Sequence, residues 1–259
     1  MASSNPILSK AFPEQAGFGP APDPYGYGTT PPGYAQPERL TIDDVVMHTA
    51  GMLVVLVAVA ALSWALVPIE AGLGLILPAV LVAVGIVIYT GVKRRVSPAA
   101  AIAYAVVEGY IVGVISHVYN DFAGYDGIVL QAVVASIAVF FGMLALYQSG
   151  VIRATPKFKK VVMTATLGIM LTYLASIVMG VFGADMPLLN SNSGLGILVS
   201  AVIVVVAALN FILDFDQIEK AVAAGAPREA AWAAALGLVV TLVWLYLEML
   251  RLLSKLQSR

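Results

Sequence analysis

Three carboxylic acids, Glu108, Asp214 and Glu248, interrupt apolar stretches of this chain that are each about long enough to span a membrane. Because an ionisable side chain is costly in hydrocarbon, such residues mark ion paths, proton relays or polar contacts between helices. Carboxylate oxygens bind protons and are also the ligands that hard cations such as Ca2+ prefer. The chain has no cysteine, which excludes thiolate chemistry and Cys-ligated metals. The residue types therefore indicate proton or cation binding inside a membrane.

Seven apolar stretches must hold these acids in place. Of the 259 residues, 60% are hydrophobic and only 11% are charged, whereas a soluble domain has roughly 25% charged residues. This composition predicts an all-α polytopic membrane protein, with seven transmembrane helices in one bundle surrounded by the lipid bilayer. The net charge of -1 gives no support for nucleic-acid binding. The predicted spans are Val45–Leu66, Gly72–Val92, Pro98–Val118, Gly127–Tyr147, Val161–Phe182, Gly194–Asp216 and Ala231–Leu253.

The segments outside the spans predict the orientation of the chain. Residues 1–40 are rich in Pro, Gly and Tyr, which predicts a disordered cytoplasmic tail before a transmembrane domain of residues 41–259. Lys and Arg are concentrated after spans two, four and six, which places these loops and the N-terminus in the cytoplasm. The seventh span would then end outside, although Arg251 and Lys255 have the wrong sign for an exterior end. The alternative is a last span that partly crosses and returns, but its long apolar run favours crossing.

The third predicted span carries a small residue at every fourth position: Ala101, Ala105, Gly109 and Gly113. Four residues bring a helix back to nearly the same face, so these residues form one stripe. Small side chains in such a stripe allow another membrane helix to approach closely. The sequence therefore predicts a tight contact between helices along this face, with Pro98 tolerated in the first turn of the span.

Glu108 lies at the middle of the third span and hence near the bilayer midplane. It is about 100° around the helix from Gly109, so it can face the bundle while the small residues pack against a neighbour. The structural alternative is a protonated side chain that hydrogen-bonds between two helices. We predict that Glu108 lies on an ion or proton path.

Asp214 and Asp216 lie two residues apart near the end of the sixth span, so they point to opposite sides of the helix. Asn210, Asp214 and Gln217 follow at spacings of four and three, which predicts a polar stripe on one face. Asp216 precedes Lys220 by four residues, a favourable spacing for an ion pair. We therefore predict that Asp214 faces the interior and that Asp216 is solvated and paired. The alternative is that both acids mark the membrane–water boundary.

Glu248 lies in the second half of the seventh span, and Arg251 follows it by three residues. An ion pair between them would neutralise the acid and give it a structural role. The chain has no HExxH, Walker A, GxGxxG or GxSxG motif, and its two histidines, His48 and His117, lie on different spans. The sequence therefore predicts a protein that is not an enzyme and has no cofactor, with Ca2+ considered only as a permeant ion.

Two short segments resemble the signature of the transmembrane Bax inhibitor motif family. The first is Leu213–Ile218 (LDFDQI), near the end of the sixth span. The second is Trp244–Leu253 (WLYLEMLRLL), in which Glu248 stands where the family has an aspartate. The Pro/Gly/Tyr-rich tail and the opening SSNPILSKAF are similar to the bacterial, actinobacterial branch of the family. The resemblance extends over the spans and loop charges of residues 45–253.

The resemblance implies a seven-helix fold in which the other helices surround the last one. It also implies a calcium-permeable leak channel, in which Asp214 and Glu248 form a proton-sensitive latch and Glu108 lines the cation path. Two features depart from the family, because the hairpin between Asp214 and Glu248 is longer and Arg251 supplies a countercharge. In a straight two-helix geometry the two acids are about 22 Å apart in depth, which is too far to share a proton.

We therefore predict a pH-sensitive calcium leak in a bacterial inner (cytoplasmic) membrane. Glu108, Asp214 and Glu248 would lie on the ion path, with Asn210 and Asp216 beside it, and Glu108 and Asp214 would bind calcium transiently. One alternative is a proton-coupled transporter, which also needs a titratable acid near the midplane. Another is a membrane scaffold that regulates a membrane protease or a stress response, with the N-terminal tail binding a membrane protein partner.

Overall fold

A computed structural model describes residues 38–93, 95–122, 124, 127–183 and 191–258. Within these residues it contains seven long helices, each long and apolar enough to cross a membrane. The predicted all-α membrane fold is therefore confirmed. The helices are α1 (Ile42–Leu66), α2 (Ile69–Lys93), α3 (Pro98–His117), α4 (Ile128–Gln148), α5 (Pro156–Val181), α6 (Gly194–Ala223) and α7 (Ala230–Gln257), and a π-helical turn, Val118–Phe122, follows α3.

Polar side chains cap the first turns of several helices. Thr41 Oγ1 accepts a hydrogen bond from the Asp44 backbone N–H, and the Asp44 carboxylate accepts one from the Thr41 N–H, each at 3.1 Å. This capping box satisfies backbone donors that the first turn of α1 leaves unpaired. Ser97 caps α3 immediately before Pro98, whose missing N–H is harmless there, as predicted. The C-terminal end of α6 differs from the prediction. The helix continues to Ala223 instead of ending at Asp216.

The small-residue stripe of α3 lies directly against α1. Both of its alanines are fully buried. A Cβ atom added to Gly109 would lie 2.5 Å from the backbone oxygen of Leu56. One added to Gly113 would lie 2.3 Å from the backbone oxygen of Ala60. These distances are shorter than any ordinary van der Waals contact, so the predicted tight contact is confirmed and both positions require glycine.

The helices differ strongly in how deeply they are buried. In α3, α6 and α7, 50% of the residues in an apolar stretch of 18 residues are buried inside the protein. In α5 the corresponding share is 6%. α7 packs against α1, α3, α4 and α6, so it lies at the centre of the bundle, as the resemblance implied. Phe211, Leu245 and Leu250 are among the fully buried side chains of the core around it. α2 packs on α3 and α5 packs on α6, at the periphery.

Successive helices run in opposite directions, which gives the bundle two chemically different ends. The chain carries Lys or Arg in the loops after α2, α4 and α6. Side-chain contacts between Lys159 and Asp216 and between Tyr147 and Glu219 join α4, α5 and α6 at this end, which we name the basic end. The opposite end is the distal end. α7 runs unbroken from Ala230 at the basic end to Gln257 at the distal end. This excludes the predicted alternative, in which the seventh span turns back.

A short segment before α1 is bound to the loop between α6 and α7. The Leu40 backbone N–H donates to the Ala226 carbonyl at 2.8 Å, and the Arg228 N–H donates to the Glu38 carbonyl at 2.9 Å. The residues between these pairs form an isolated antiparallel bridge. We name residues 38–40 the N-terminal strap. Residues 1–37 of the predicted disordered tail lie outside the described residues.

Side chains reinforce the N-terminal strap. Arg228 Nε lies 2.9 Å from Asp44 Oδ1, and the same guanidinium group forms an ion pair with Glu38. Ion pairs with exposed partners contribute little to stability, so they do not by themselves explain the attachment. The side chain of Leu40 is buried, which leaves burial and the two backbone hydrogen bonds as the main sources of stability.

Candidate functional site

Glu108 points into the bundle from α3, as predicted. Its side chain is buried, and the Tyr104 side chain, one turn earlier on the same helix, interacts with its carboxyl group. The stripe that contains Gly109 packs against α1, which leaves the neighbouring face of α3 free to turn Glu108 inward. Among the described residues, Glu108 shares no hydrogen bond with Asp214 or Glu248. It is therefore a separate interior acid.

Asp214 lies between α6 and α7, and the prediction of an interior side chain is confirmed. The Thr241 hydroxyl on α7 donates to Asp214 Oδ2 at 2.7 Å. The residue is half-buried, with the buried Leu213 and Phe215 on either side of it in the helix. The polar partner of this aspartate on the last helix is thus a neutral hydroxyl group.

Asp216 is paired as predicted but is not solvated. Lys220 Nζ lies 2.7 Å from Asp216 Oδ2, which confirms the pair within α6. A second cation, Lys159 of α5, contacts the same carboxylate oxygen. The Asp216 side chain is only 13% exposed because these two lysines cover it. The prediction of a solvated acid was wrong, because the contact from Lys159 joins residues of two different helices and has no local signal in the sequence.

Asn210 faces α5, and this divides the polar stripe predicted on α6. Its Nδ2 donates to Thr166 Oγ1 of α5 at 2.9 Å and to the Val206 carbonyl at 2.8 Å. Asp214 instead contacts α7, and Gln217 is exposed. The three residues therefore do not act as one surface. The reason is that α5 and α7 approach α6 from different sides.

Glu248 is held by two side chains near the distal half of α7. The Tyr173 hydroxyl of α5 donates to Glu248 Oε1 at 2.5 Å. Arg251 Nη1 lies 3.7 Å from the same oxygen, which confirms the predicted pair, and it also donates to the Tyr173 hydroxyl. The Glu248 side chain is 4% exposed, and its Oε2 atom is buried without a hydrogen-bond partner among the described residues. Burial of a carboxylate oxygen without a hydrogen-bond partner costs free energy, so its position needs an explanation.

Lys255 was not predicted as an interior residue. Its Nζ donates to Ser200 Oγ at 2.9 Å and to the Gly196 carbonyl at 3.2 Å, at the start of α6, and the whole residue is buried. This explains the basic end of the seventh span, because Arg251 and Lys255 serve contacts inside the bundle. Their positive charge is therefore a weak signal for the side of the membrane on which α7 ends.

Asp214 and Glu248 are closer in depth than predicted, yet they are not a pair. Asp214 contacts Thr241, and Glu248 follows Thr241 by seven residues on α7, a rise of about 10 Å. The predicted depth difference of about 22 Å was too large because it assumed equal depths for the centres of the two spans. The latch implied by the resemblance therefore has no direct contact between two carboxylates in this structure.

Three residues of α5 that contact the interior were missed by the sequence analysis. Lys159, Thr166 and Tyr173 are spaced seven residues apart, so they lie on one face of the helix. We name them the α5 stripe. Their spacing of seven residues is the signal that could have identified them, although Thr164, Thr172 and Ser176 of the same helix are also polar. Their partners lie far away in the sequence and could not be read from it.

The acids do not form a preassembled metal site. Within the described ranges, no group of three or more His, Asp or Glu side chains lies close enough together to hold a metal ion. Glu108 and Asp214, predicted as transient calcium ligands, lie on different helices with different partners. The arrangement thus offers single carboxylates at separate depths.

An apolar cavity of about 520 Å³ lies between α1, α3, α4 and α7, and it does not contain these acids. Ser116 and Tyr246 line it and hydrogen-bond to each other at 2.7 Å, so their hydroxyl groups are satisfied. Its lining contains no charged side chain. The cavity is therefore a poor candidate for binding an ion.

The fold and these contacts define a polytopic α-helical membrane protein with ionisable side chains inside its bundle. A family model described as Bax inhibitor 1 like matches residues 5–258, nearly the whole chain, and the chain belongs to this family. The family predicted from the two motifs on the sixth and seventh spans is therefore confirmed. No match to the sequence is found among curated proteins.

Proposed function

We propose that this Bax inhibitor 1 like protein is a passive, pH-sensitive leak for cations, with calcium as the expected ion. The observation that carries the proposal is the presence of interior carboxyl groups on three helices, Glu108 on α3, Asp214 on α6 and Glu248 on α7. Ionisable groups are retained inside membrane bundles chiefly where they serve ions or protons. The leak, its ion and its pH response are all parts of this proposal.

Single carboxylates at separate depths favour conduction over storage of an ion. Ca2+ takes 6 to 8 oxygen ligands in a tight site, according to general coordination chemistry. One carboxylate with a neutral hydroxyl beside it, as at Asp214 and Thr241, supplies far fewer ligands. A permeant ion must be bound strongly enough to enter and weakly enough to leave. The geometry is therefore better suited to passage than to retention.

The orientation belongs to the same proposal. Arg95, Arg153 and Arg228 lie in the loops at the basic end. By the positive-inside rule this end faces the cytoplasm, together with the chain segment that precedes α1. We assign the protein to the inner membrane of a bacterium on the basis of its resemblance to the bacterial branch of the family. Calcium would then enter from the distal end.

Protonation provides the proposed pH response. A protonated carboxyl group has no negative charge and binds a divalent cation poorly. Acidification removes charge from the interior acids, so we expect calcium flux to fall as the pH is lowered. Flux that rises steadily on acidification would contradict this sign.

The test is calcium flux into liposomes that contain the purified protein and a calcium-sensitive dye. We expect Glu108→Gln to lower the flux and to reduce its dependence on pH, because the variant keeps the shape of the side chain but cannot ionise. Glu70→Gln is the matched control, since Glu70 is exposed at the start of α2. If Glu108→Gln leaks as fast as the parent protein, Glu108 is not on the path. If the parent protein leaks no faster than protein-free liposomes, the leak itself is wrong.

A second candidate function is proton-coupled transport, and one observation favours it. Arg251, Tyr173 and Glu248 form a hydrogen-bonded chain inside the bundle, and such chains of ionisable groups also occur in proton relays. A pH-sensitive dye inside the same liposomes distinguishes the two functions. Proton flow opposite to calcium would support the transporter, whereas calcium flux without it would support the leak.

A further inference from the structure

α5 is attached to the bundle differently from the other helices. Of its described side chains, only Val162 is buried, and most of the others are exposed on the outer surface. Helices in a membrane associate through close van der Waals packing and through hydrogen bonds between helices. Van der Waals packing is weak for α5, because so few of its side chains are buried. Its position must therefore depend largely on polar contacts.

The α5 stripe supplies these polar contacts at three depths. Lys159 contacts Asp216, Thr166 accepts a hydrogen bond from Asn210 at 2.9 Å, and Tyr173 donates to Glu248 at 2.5 Å. From Lys159 to Tyr173 the rise is about 21 Å, out of a hydrocarbon thickness of about 30 Å. We name the three pairs the polar seam. The polar seam consists of Lys159, Thr166 and Tyr173 on α5 with Asp216, Asn210 and Glu248 on α6 and α7.

Two features distinguish the polar seam from simple polar contacts between helices. Both of its acids are paired with positively charged side chains of the protein. Lys159 and Lys220 cover Asp216. Arg251 lies beside Glu248. One carboxylate oxygen, Glu248 Oε2, is buried without a hydrogen-bond partner among the residues described. A contact with a purely structural role would not be expected to leave that oxygen unsatisfied.

We propose that the polar seam is part of the route of the permeant cation, and that α5 separates from α6 and α7 to open it. This inference rests on the proposed leak function and adds the α5 face of the bundle, with Asp216 and Glu248, to the proposed path. In the closed arrangement, Lys159 and Arg251 occupy the two carboxylates that a cation would use. The oxygens of Asn210 and Thr166 lie between the two acids and provide neutral ligands at intermediate depth.

The absence of cysteine allows a direct test with engineered thiols. In Thr166→Cys/Asn210→Cys, a short, reducible bifunctional thiol reagent would join α5 to α6 across the polar seam. We expect bridging to lower calcium flux to the level of protein-free liposomes, and reductant to restore the flux of the unbridged variant. The control is Gln131→Cys/Gln257→Cys, which joins α4 to α7 through an exposed pair that hydrogen-bonds at 3.3 Å. Bridging this pair should leave the flux unchanged.

Undiminished flux after complete bridging of Thr166→Cys/Asn210→Cys would overturn the assigned route while leaving the leak function intact. Failure of the leak function itself would appear differently, as a parent protein without flux.

A second measurement tests the polar seam even if the parent protein shows no flux. We expect a charged, water-soluble thiol reagent to modify Thr166→Cys but not Leu167→Cys, which faces outward, because a thiol in hydrocarbon is neither hydrated nor ionised. Equal modification rates of the two variants would contradict an opening seam.

Discussion

Gly113→Ala is expected to separate α1 from α3 and to destabilise the protein by roughly 3 kcal/mol or more, at the upper end of the usual cost of overpacking. The new methyl carbon would lie 1.9 Å from Ser63 Oγ and 2.3 Å from the Ala60 carbonyl oxygen. The Ser63 side chain can rotate away, but the backbone of Ala60 cannot move unless α1 moves with it. Thermal unfolding of the purified protein in detergent, followed by circular dichroism, measures the effect.

Gly142→Ala is the matched control for this substitution. Gly142 lies within α4, and a Cβ atom added there would have no neighbour within 4 Å. Alanine has the better helix propensity, so we expect this variant to be as stable as the parent protein or slightly more stable. Equal unfolding temperatures for the two variants would contradict the close contact between α1 and α3.

Arg251→Met is expected to destabilise the protein by roughly 2–3 kcal/mol, because it leaves a buried carboxylate without its cation. Arg251 is 34% exposed, so the expected loss is smaller than for a fully buried pair. The double variant Arg251→Met/Glu248→Gln should recover much of this stability, since it removes both charges together. Unfolding of the two single variants and the double variant by denaturant provides the measurement. Strictly additive losses would show that the two charges are not coupled.

Lys220→Met is the control for loss of a cation. Its side chain is 62% exposed, and Asp216 keeps its second partner, Lys159. We expect almost no change in stability, as for exposed ion pairs in general. The comparison separates the loss of a buried countercharge from the general effect of removing a positive charge. In liposomes, Arg251→Met should also raise calcium flux if the permeant cation binds Glu248, because Arg251 no longer pairs with that carboxylate.

Much of the fold could be predicted from sequence because the membrane imposes a length on every helix. The apolar runs marked all seven helices, with the largest differences at the start of α5 and the end of α6. The spacing of Gly109 and Gly113 predicted the tight contact of α3, because four residues return a helix to the same face. The pair of Asp216 and Lys220 was predicted for the same reason. These are all relations within one helix.

Contacts between helices could not be predicted in the same way. Lys159 and Asp216 are 57 residues apart, and Tyr173 and Glu248 are 75 apart. In a soluble helix the apolar face shows which side is buried, but a membrane helix is apolar on both its lipid-facing and its interior sides. The sequence therefore indicated which acids were unusual. It did not indicate which helix supplies the partner of each.

The N-terminal strap has a consequence for the order in which the protein is made. Asp44 and Arg228 are 184 residues apart, so the start of α1 emerges from the ribosome long before the loop that holds it. At about 5–20 residues per second, on the order of 10 s or more passes between the two events. The N-terminal strap therefore closes only after the loop between α6 and α7 has been synthesised. A nascent chain that ends before this loop contains the first helix, but its N-terminal strap does not yet have the partners Ala226 and Arg228.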